Sequence, residues 1–406
     1  MDMAFEKSFD IAVAGAGIAG IAAALAAARR GHKVVLIEKQ TLIGGLATSG
    51  LIYIYLPLCD GRKTQVTFGI AEELLKRSLE YSPYDLNAHW GGPENGWCYK
   101  KERYECDFSP AGFILSLDKL LLDAGVELWL DTRVCAVELA GDRKITALEV
   151  ENDSGRGRIT AKQFVDATGA AILVQRAGGR TLPPESNFQA TWMIQRAPGD
   201  KLGCHLTDNI HINALGTAFD GRIITSDPRT GKSVTEFVRR SWQTARDYYD
   251  EAYHQGKTRR ELYPLNLPAM PQLRKIARID GMETLDTGSE WVPSADSIGL
   301  YADWRQAGKV YETPYGTLLP SDIRGVFACG RCMSSANDAW ESFRVIPAAA
   351  MTGEVSGTAA ALAVEKNCDG SELAVDLIRN ELRKNNFKFH FEEVGLTPGG
   401  SNAVKK

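Results

Sequence analysis

The sequence has no apolar run long enough to cross a membrane as a helix. Its alanine-rich segment after Gly17 ends at Arg29 and Arg30 and is shorter than the ~20 residues that a spanning helix needs. The first residues, from Met1 to Lys7, also lack the basic-then-apolar pattern of a secretion signal. We therefore expect a cytoplasmic protein with no membrane partner.

An excess of positive charge is also missing. The chain has 47 lysines and arginines against 51 aspartates and glutamates, a formal net charge of -4. We therefore expect no broad electropositive surface for nucleic acid, although this balance still permits local arginine clusters. The remaining composition is ordinary for a globular protein, and 406 residues suggest about two or three domains.

Histidine is scarce, and the eight cysteines are scattered along the chain. No set of these residues has metal-ligand spacing, so no metal site is predicted. Cys329 and Cys332 form one CxxC pair. A redox disulfide there remains open, but the pair follows a strand rather than opening a helix, which favours reduced thiols.

The segment from Phe9 to Glu38 carries the strongest signal. It reads as a buried strand, a glycine turn, a helix and a second strand ending in an acid. Gly15 allows the tight turn, Gly17 lets the backbone approach a pyrophosphate, and Gly20 lets helix and strand pack closely. The pattern predicts a dinucleotide site, with the phosphates at the helix N-terminus.

Glu38 indicates which nucleotide is bound. A carboxylate at the end of the second strand can accept hydrogen bonds from both ribose hydroxyls, whereas it would repel a 2′-phosphate. We therefore expect a plain adenosine diphosphate group. This unit alone leaves NAD and FAD as alternatives.

Other segments have the same small-residue character. The loop 41–50 contains Gly44 and Gly45, which permit close backbone approach to a ligand, followed by small polar residues. Apolar strands at 164–169 and 325–330 end in Ala-Thr-Gly and in Cys-Gly. Between them, residues 134–160 alternate in polarity across short turns, as in a β-meander. Helices are predicted at 70–79, 113–123, 233–255 and 348–365.

In this combination the chain resembles FAD-dependent oxidoreductases of the glutathione-reductase type and, more narrowly, relatives of the fumarate reductase flavoproteins. The resemblance is strongest at 15–38, 44–50, 166–169 and 325–362. It implies an α/β fold with a Rossmann-like FAD-binding domain, made of a parallel sheet plus the β-meander, and an inserted α+β substrate domain. The expected FAD domain is discontinuous, at 1–56, 109–175 and 317–385. The substrate domain is expected at 57–108 and 176–316, with a loosely held tail at 386–406.

The same resemblance implies FAD as cofactor, with the end of the last small-residue helix close to the flavin. We expect non-covalent binding, because relatives that attach flavin use a histidine in the loop after Glu38 and residues 41–50 contain no His or Cys. The residues predicted to contact FAD are Gly15, Gly17, Ile18, Ala19, Gly20, Glu38, Lys39, Gly44, Gly45, Leu46, Ala47, Thr48, Val134, Ala167, Thr168, Gly169, Gly330, Arg331, Arg344, Thr352 and Gly353.

Three side chains are candidates for catalysis. Arg344 matches a family arginine near the flavin; it can hold a substrate carboxylate or the flavin O2 edge, or form a salt bridge to Asp338 or Glu341. Arg274, four residues before Arg278 and on the same predicted face, can grip an anionic substrate or bridge domains. His89 can titrate near neutral pH in a loop over a pocket.

We therefore predict an FAD-dependent oxidoreductase that transfers a hydride between flavin N5 and a small organic substrate, with an anionic one compatible with the arginines. An unidentified electron donor or acceptor is the other expected partner, and an oligomer is compatible with the sequence. The alternatives are a tRNA-modifying flavoprotein, a protein with FAD in a structural role and an NAD dehydrogenase without flavin.

Overall fold

The computed structural model describes residues 3–96, 103–185, 187–188, 192–196, 209–211, 223–224 and 227–397. The helices are α1 Ile18–Ala28, α2 Ile70–Arg77, α3 Pro110–Asp123, α4 Ile172–Arg176, α5 Gly231–His254, α6 Asn337–Phe343, α7 Ile346–Lys366 and α8 Val375–Leu382. The helix predicted after the first glycine turn is confirmed as α1. The helices predicted at 70–79, 113–123, 233–255 and 348–365 are confirmed as α2, α3, α5 and α7, with ends that differ by at most three residues.

The strands, in chain order, are β1 Phe5–Ala14, β2 Val34–Ile37, β3 Ile54–Tyr55, β4 Cys106–Asp107, β5 Glu127–Trp129, β6 Arg133–Leu139, β7 Ile145–Asn152, β8 Gly155–Asp166, β9 Thr181–Leu182, β10 Asn187–Phe188, β11 Trp192–Arg196, β12 Asn209–His211, β13 Ile223–Ile224, β14 Tyr263–Asn266, β15 Arg278–Ile279, β16 Ser297–Ala302, β17 Val310–Pro314 and β18 Val326–Ala328.

The main sheet has seven strands in the order β5-β2-β1-β8-β7-β6, with β18 also paired to β8. Strands β5, β2, β1, β8 and β18 are parallel, whereas β6, β7 and β8 form an antiparallel meander. This confirms the predicted Rossmann-like sheet with its β-meander. The carboxyl ends of the parallel strands meet at one edge, which is where ligands bind in open sheets of this kind.

Strand β8 is longer than the sequence predicts. The sequence suggests two separate short strands, one at 158–160 and an apolar one at 164–169, but the chain runs extended from Gly155 to Asp166. Its first half pairs with β7 and its last three residues pair with β18, while β1 runs along both halves. Tertiary pairing on both sides therefore carries the strand through its polar middle.

Helix α1 packs against α7 and against the main sheet, which α7 also contacts. Ten of its eleven residues, from Ile18 to Ala27, are buried. A Cβ on Gly353 of α7 would lie 2.2 Å from the carbonyl oxygen of Ala19, and a Cβ on Gly357 would lie 2.1 Å from that of Ala23. The small residues of both helices therefore permit an unusually close approach of the two backbones.

The region around 176–316 contributes several small antiparallel sheets, including the three-stranded β12-β11-β14, together with the long helix α5. Met193 of β11 packs against Ala245 and Tyr249 of α5 in a separate apolar cluster. The prediction of an α+β insertion is confirmed.

Helix α2 lies in the 57–108 segment, which the sequence assigns to the substrate domain, but it packs elsewhere. Its Ile70, Ala71, Leu74 and Leu75 are buried in the cluster that contains α1 and α7. The helix contacts α7 and α3. Its apolar face is therefore covered by the helices that lie on the main sheet.

The predicted loose tail is wrong for residues 386–397. Phe387, Phe389 and Phe391 are buried. The Phe389 carbonyl accepts a hydrogen bond from Ser297 Oγ at 2.6 Å, and the Phe391 N–H donates to Glu312 Oε1 at 3.0 Å. Three alternating aromatic side chains anchor this segment despite its polar composition. Residues 398–406 lie outside the described part.

Glu354 of α7 is a fully buried carboxyl group behind this packing. Its Oε2 accepts from the Ile70 N–H at 2.5 Å, and its Oε1 accepts from Asn385 Nδ2 at 2.6 Å. It therefore joins α7 to the start of α2 and to the C-terminal segment. Burial raises the pKa of Glu354 to about 7, while the two hydrogen bonds and Arg29 oppose that rise.

The raised pKa of Glu354 predicts that the protein becomes less stable as the pH rises. The folded protein holds this proton more tightly than the unfolded chain, whose glutamate has the ordinary pKa of 4.5. The free energy of unfolding should therefore fall by roughly 3 kcal/mol between pH 4.5 and 7 on account of this group, and level off above. Urea unfolding of the wild type and of Glu354→Gln across this range measures the effect. A difference between the two proteins that stays constant with pH would contradict it.

Candidate functional site

A cleft opens at the carboxyl ends of β1, β2, β8 and β18. Its walls come from the β1–α1 turn, the end of β2 and its following loop, the turns after β8 and β18, and the start of α7. Seventeen of the residues predicted to contact a cofactor line this cleft: Gly15, Gly17, Ile18, Ala19, Glu38, Lys39, Gly44, Gly45, Leu46, Ala47, Val134, Ala167, Thr168, Gly169, Gly330, Arg331 and Arg344.

The three glycines of the first turn differ in what they permit. Gly15 has φ +97°, and a Cβ there would lie 2.6 Å from the Ala167 carbonyl oxygen. A Cβ on Gly17 would meet nothing within 4 Å, although Gly17 lines the cleft. Gly20 does not line it; a Cβ there would lie 1.8 Å from the Gly15 oxygen. Gly15 and Gly20 therefore shape the turn, and Gly17 leaves room for a ligand.

Glu38 is buried at the end of β2 with its carboxylate held by the backbone. Its Oε2 accepts from the Ala16 N–H at 2.8 Å and its Oε1 from the Gln40 N–H at 3.0 Å. Each carboxylate oxygen has a second lone pair for a further donor. Its chemistry fits the two hydroxyl groups of a ribose.

The glycine loop after β2 is tied directly to the first turn. Gly44 has φ +95° and donates its N–H to the Ala16 carbonyl at 2.7 Å. Thr48, predicted to supply a hydroxyl to the cofactor, does not line the cleft: it is buried, and its Oγ1 donates to the Ile43 carbonyl. Its hydroxyl closes the loop on itself.

The turn after β8 is organised by Asp166, a residue that sequence reasoning did not single out. Its Oδ1 accepts from Thr168 Oγ1 at 2.7 Å and its Oδ2 from the Leu173 N–H at 2.7 Å. Burial raises the pKa of Asp166 and these hydrogen bonds oppose the rise. The carboxylate therefore fixes the Ala-Thr-Gly turn against α4. The sequence signal that could have identified Asp166 is a charged residue at the end of an apolar strand, just before Ala-Thr-Gly.

Both cysteines of the CxxC pair are free thiols and buried. Cys332 Sγ lies 3.2 Å from the Ala171 N–H, which donates to it. Burial raises the pKa of Cys332 to about 12. The pair supports the packing of two turns at the cleft.

Arg331 follows Gly330, whose φ is +63°. Its Nη1 donates to the Leu273 carbonyl at 2.5 Å, and its guanidinium packs over Gly169, where a Cβ would lie 2.4 Å from Nη2. Burial lowers the pKa of Arg331 to about 10; Cys332 opposes this shift, and the charge of Arg344 adds to it. A cationic group with no carboxylate partner among the described residues thus faces the cleft.

The start of α7 reaches the cleft through Val345, Ile346 and Ala349 rather than through Thr352 and Gly353. Thr352 Oγ1 accepts from the Gly330 N–H at 3.0 Å and donates to the Ala348 carbonyl at 2.7 Å. Thr352 and Gly353, both predicted to contact the cofactor, therefore do not line this cleft. Gly353 makes room for α1, and Thr352 secures the turn after β18.

Arg344 lines the cleft and is ion-paired. Its Nε lies 2.7 Å from Glu341 Oε2, and Lys275 Nζ lies 2.6 Å from Glu341 Oε1. Asp338, the other predicted partner, instead pairs with Arg305 at 2.8 Å. The sequence gives a salt bridge and a place near the cofactor as alternatives for Arg344, and the structure shows that Arg344 has the salt bridge and also lines the cleft.

Arg274 and Arg278 do not share one environment. Arg274 is buried near Arg344 and Arg331, outside the cleft lining, whereas Arg278 starts β15 near Asp280 and Asp286. The backbone between them is irregular rather than helical. The prediction that their side chains lie on one face is therefore wrong.

His89 lies apart from the cleft lining. It is exposed in a short turn at Ala88–Trp90, and its ring meets the edge of Trp90 at 4.8 Å between centroids. Trp90 in turn stacks on Tyr104 at 4.4 Å. Neither contact brings the imidazole to the groups described above.

Apart from Arg274, sequence reasoning missed the segment 269–276, which we call the strap. Its Met270, Pro271 and Ile276 line the cleft. Gln272 holds it in place: Nε2 donates to the Gly50 carbonyl at 2.5 Å, and Oε1 accepts from the Trp192 N–H at 2.7 Å. A single buried glutamine leaves no periodic signal in a sequence.

The donor set of this cleft fits a dinucleotide. One edge of the sheet brings together three features that a dinucleotide needs. They are open space over Gly17, the carboxylate of Glu38 as a hydrogen-bond acceptor, and the N-terminal ends of two helices. The match to a family model extends this to the cofactor. Residues 10–191 and 292–382 match the model described as FAD dependent oxidoreductase, and the chain belongs to that family. It is an FAD-dependent enzyme, which decides between flavin and nicotinamide.

Particular relatives carry less information. An uncharacterised Methanosarcina barkeri protein is 30% identical over 185 residues, which span 44% of this chain and 91% of that protein. A vinyl phenol reductase of Lactiplantibacillus plantarum is 40% identical over 86 residues, only 21% of this chain and 17% of that enzyme. The crystal structure of p-nitrophenol 4-monooxygenase from Pseudomonas putida matches 92% of this chain and 84% of its own, with TM-score 0.50 and 10% identity. At this low identity, the similarity to the monooxygenase is a similarity of fold alone.

Two further statements apply to the residues that the structure describes. Within this part of the chain, no group of three or more His, Cys, Asp or Glu side chains could hold a metal ion. Nor does any described helix have the length and apolar character to cross a membrane.

Proposed function

We propose that this FAD-dependent oxidoreductase transfers a hydride between flavin N5 and a small organic substrate. The observation that carries the proposal is that the starts of α1 and α7 line one cleft. A helix N-terminus has roughly half a positive charge, so one start suits the diphosphate and the other suits negative charge on the ring. Bound FAD supplies hydride or electron transfer at the flavin.

Particular residues would hold the cofactor. Glu38 would accept from the ribose hydroxyls, and the backbone at Gly15 and Gly17 would lie along the diphosphate. Arg331 would add positive charge beside the turn after β8. Residues 41–50 contain no His or Cys for a covalent bond, which supports non-covalent binding.

The strap supports a substrate site between the main sheet and the insertion. It brings Met270, Pro271 and Ile276 into the cleft wall, and Gln272 fastens it to the glycine loop. Apolar walls exclude water from the reacting centre, which strengthens the electrostatic effects of the groups there. We infer that residues 176–316 carry most of the substrate-facing surface, with the family domain around them.

An anaerobic experiment tests the function. The purified holoprotein should be yellow and reducible by light, and its flavin absorption should then return on addition of a small activated alkene or quinone, measured by stopped flow. The same protein without acceptor is the control. A reduced flavin that reacts with no member of a broad acceptor panel would instead support a structural role for FAD. A salt-sensitive shift of RNA by submicromolar protein would support the tRNA-modifying alternative.

A further inference from the structure

Helix α3 has two strongly exposed leucines on its outer face. Leu115 and Leu122 are 59% and 68% exposed, more than any other large apolar residue that the structure describes. Because two turns of helix separate them, they lie on the same side, one above the other. The opposite side, which includes Phe113, Leu117 and Leu121, is buried in the core. The exposed leucines are therefore additional to the apolar face that the fold itself needs.

The apolar surface continues towards the N-terminus of α3. Ala111 is exposed and lies one turn before Leu115, on the same side of the helix. Tyr81 is 51% exposed and lies beside the first turn, since a Cβ on Gly112 would be 2.3 Å from the Tyr81 carbonyl oxygen. We call Tyr81, Ala111, Leu115 and Leu122 the α3 stripe. A line of apolar groups on an exposed helix face favours contact with another protein surface.

Two opposite charges flank the leucines. At 100° per residue, Asp118 and Lys119 project about 50° to either side of the leucine pair. Lys119 Nζ lies 2.7 Å from the carboxylate of Asp123, which is further round the helix and outside the stripe. Asp118 is exposed and takes part in no salt bridge within the described part of the chain. The stripe is therefore bordered by an acid on one side and by a base on the other.

This arrangement of charges is complementary to itself. When two parallel helices pack about a two-fold axis along their length, the left side of one helix faces the right side of the other. Leu115 and Leu122 would then meet the same residues of a second copy, and Asp118 of each copy would face Lys119 of the other. An antiparallel pair would bring like charges together instead. The charges therefore favour a second copy of this chain as the partner, in the parallel orientation.

We propose that two copies of this protein associate through the α3 stripe as a parallel, two-fold symmetric dimer. The helix has 14 residues and is about 21 Å long, so the contact is smaller than a standard protein interface. We therefore expect weak association, with a dissociation constant on the order of 10 µM. No residue of the stripe lines the cleft, so the dimer leaves the FAD site accessible and does not depend on the proposed function.

Sedimentation velocity of the holoprotein between about 1 and about 200 µM measures the association. We expect the wild type to pass from monomer to dimer over this range. Leu122→Glu and, independently, Leu115→Glu should weaken the dimer by about tenfold or more, because each puts a charge into an apolar contact. Leu377→Glu is the matched control, since Leu377 is 38% exposed on α8, outside the stripe, and should dimerise as the wild type does. Flavin absorption per chain confirms that each variant is folded.

Charge reversal tests the parallel orientation. Asp118→Lys and Lys119→Asp each place like charges across the contact, so each variant alone should associate several-fold more weakly than the wild type. An equal mixture of the two variants should form a heterodimer at least as readily as the wild type dimerises, because every flanking pair is then opposite in charge. Labelling one variant with a fluorophore allows the heterodimer to be followed by sedimentation.

Three results would overturn the proposal. One is a wild-type holoprotein that stays monomeric at the highest concentration. Another is association that both Leu122→Glu and Leu115→Glu leave unchanged, which would place the contact elsewhere on the surface. The third is normal self-association of the two charge-reversal variants, which would exclude the parallel pairing of Asp118 with Lys119.

Discussion

A Gly17→Val protein should fold as the wild type does and fail to retain FAD. Gly17 has φ -72° and ψ 178°, a conformation open to any L-residue, and a Cβ there meets nothing within 4 Å. The new side chain would stand in the cleft that Gly17 lines. We expect the affinity for FAD to fall by about 100-fold, the effect of a severe steric overlap. The free energy of unfolding of the apoprotein should change by no more than ~1 kcal/mol, the scale of an N-cap preference.

Two other glycines provide the contrast. Gly141→Val, in the turn between β6 and β7 with nothing within 4 Å of its Cβ, should change neither property. Gly15→Ala should destabilise the apoprotein itself, because φ is +97° and the Cβ would lie 2.6 Å from the Ala167 oxygen. FAD titration followed by fluorescence, together with urea unfolding of the apoproteins, measures both effects. Normal FAD affinity in Gly17→Val would refute the placement of the diphosphate at this turn.

This contrast shows why the nucleotide half of the site could be predicted from sequence. The positions of Gly15, Gly17 and Glu38 are dictated by local geometry: a positive φ, a missing Cβ and a strand end. All three requirements lie within one stretch of about 30 residues, so the spacing of the residues in the sequence is enough to predict them. The order and type of the helices and strands around them follow from periodicity for the same reason.

The other half of the site depends on contacts between distant segments. Gln272 joins the strap to Gly50, more than two hundred residues earlier. Arg274 differs from Arg278 in its burial and in the charges that surround it. Neither fact has a periodic trace. The interpretation of His89 as a catalytic candidate requires its loop to cover a pocket, whereas the structure places it in an exposed turn apart from the cleft lining.

Gly353 is the position where local pattern and tertiary packing disagree most. In the sequence it resembles a small residue that lets a helix approach a flavin, yet its missing Cβ makes room for the backbone of Ala19. The same substitution distinguishes the two interpretations. A residue that faces the cofactor affects FAD alone, whereas a residue at a helix–helix contact affects the apoprotein as well.

Gly353→Ala should therefore destabilise the apoprotein by about 2 kcal/mol or more, because the Cβ would lie 2.2 Å from a backbone oxygen that cannot yield without separating α1 from α7. This exceeds the gain of ~1 kcal/mol that alanine brings to a helix interior. FAD affinity should fall too, since Ile18 and Ala19 at the start of α1 line the cleft.

Gly231→Ala is the matched control for this last variant. Gly231 is exposed at the first position of α5, with nothing within 4 Å of its Cβ, so the same substitution there should be neutral or stabilise by up to ~1 kcal/mol. Opposite signs for the two variants in urea unfolding would establish that steric contact with α1, rather than any general effect of removing glycine, decides the result. If Gly353→Ala left the apoprotein as stable as the wild type and weakened only FAD binding, the close packing of α1 on α7 would be the wrong explanation for this glycine.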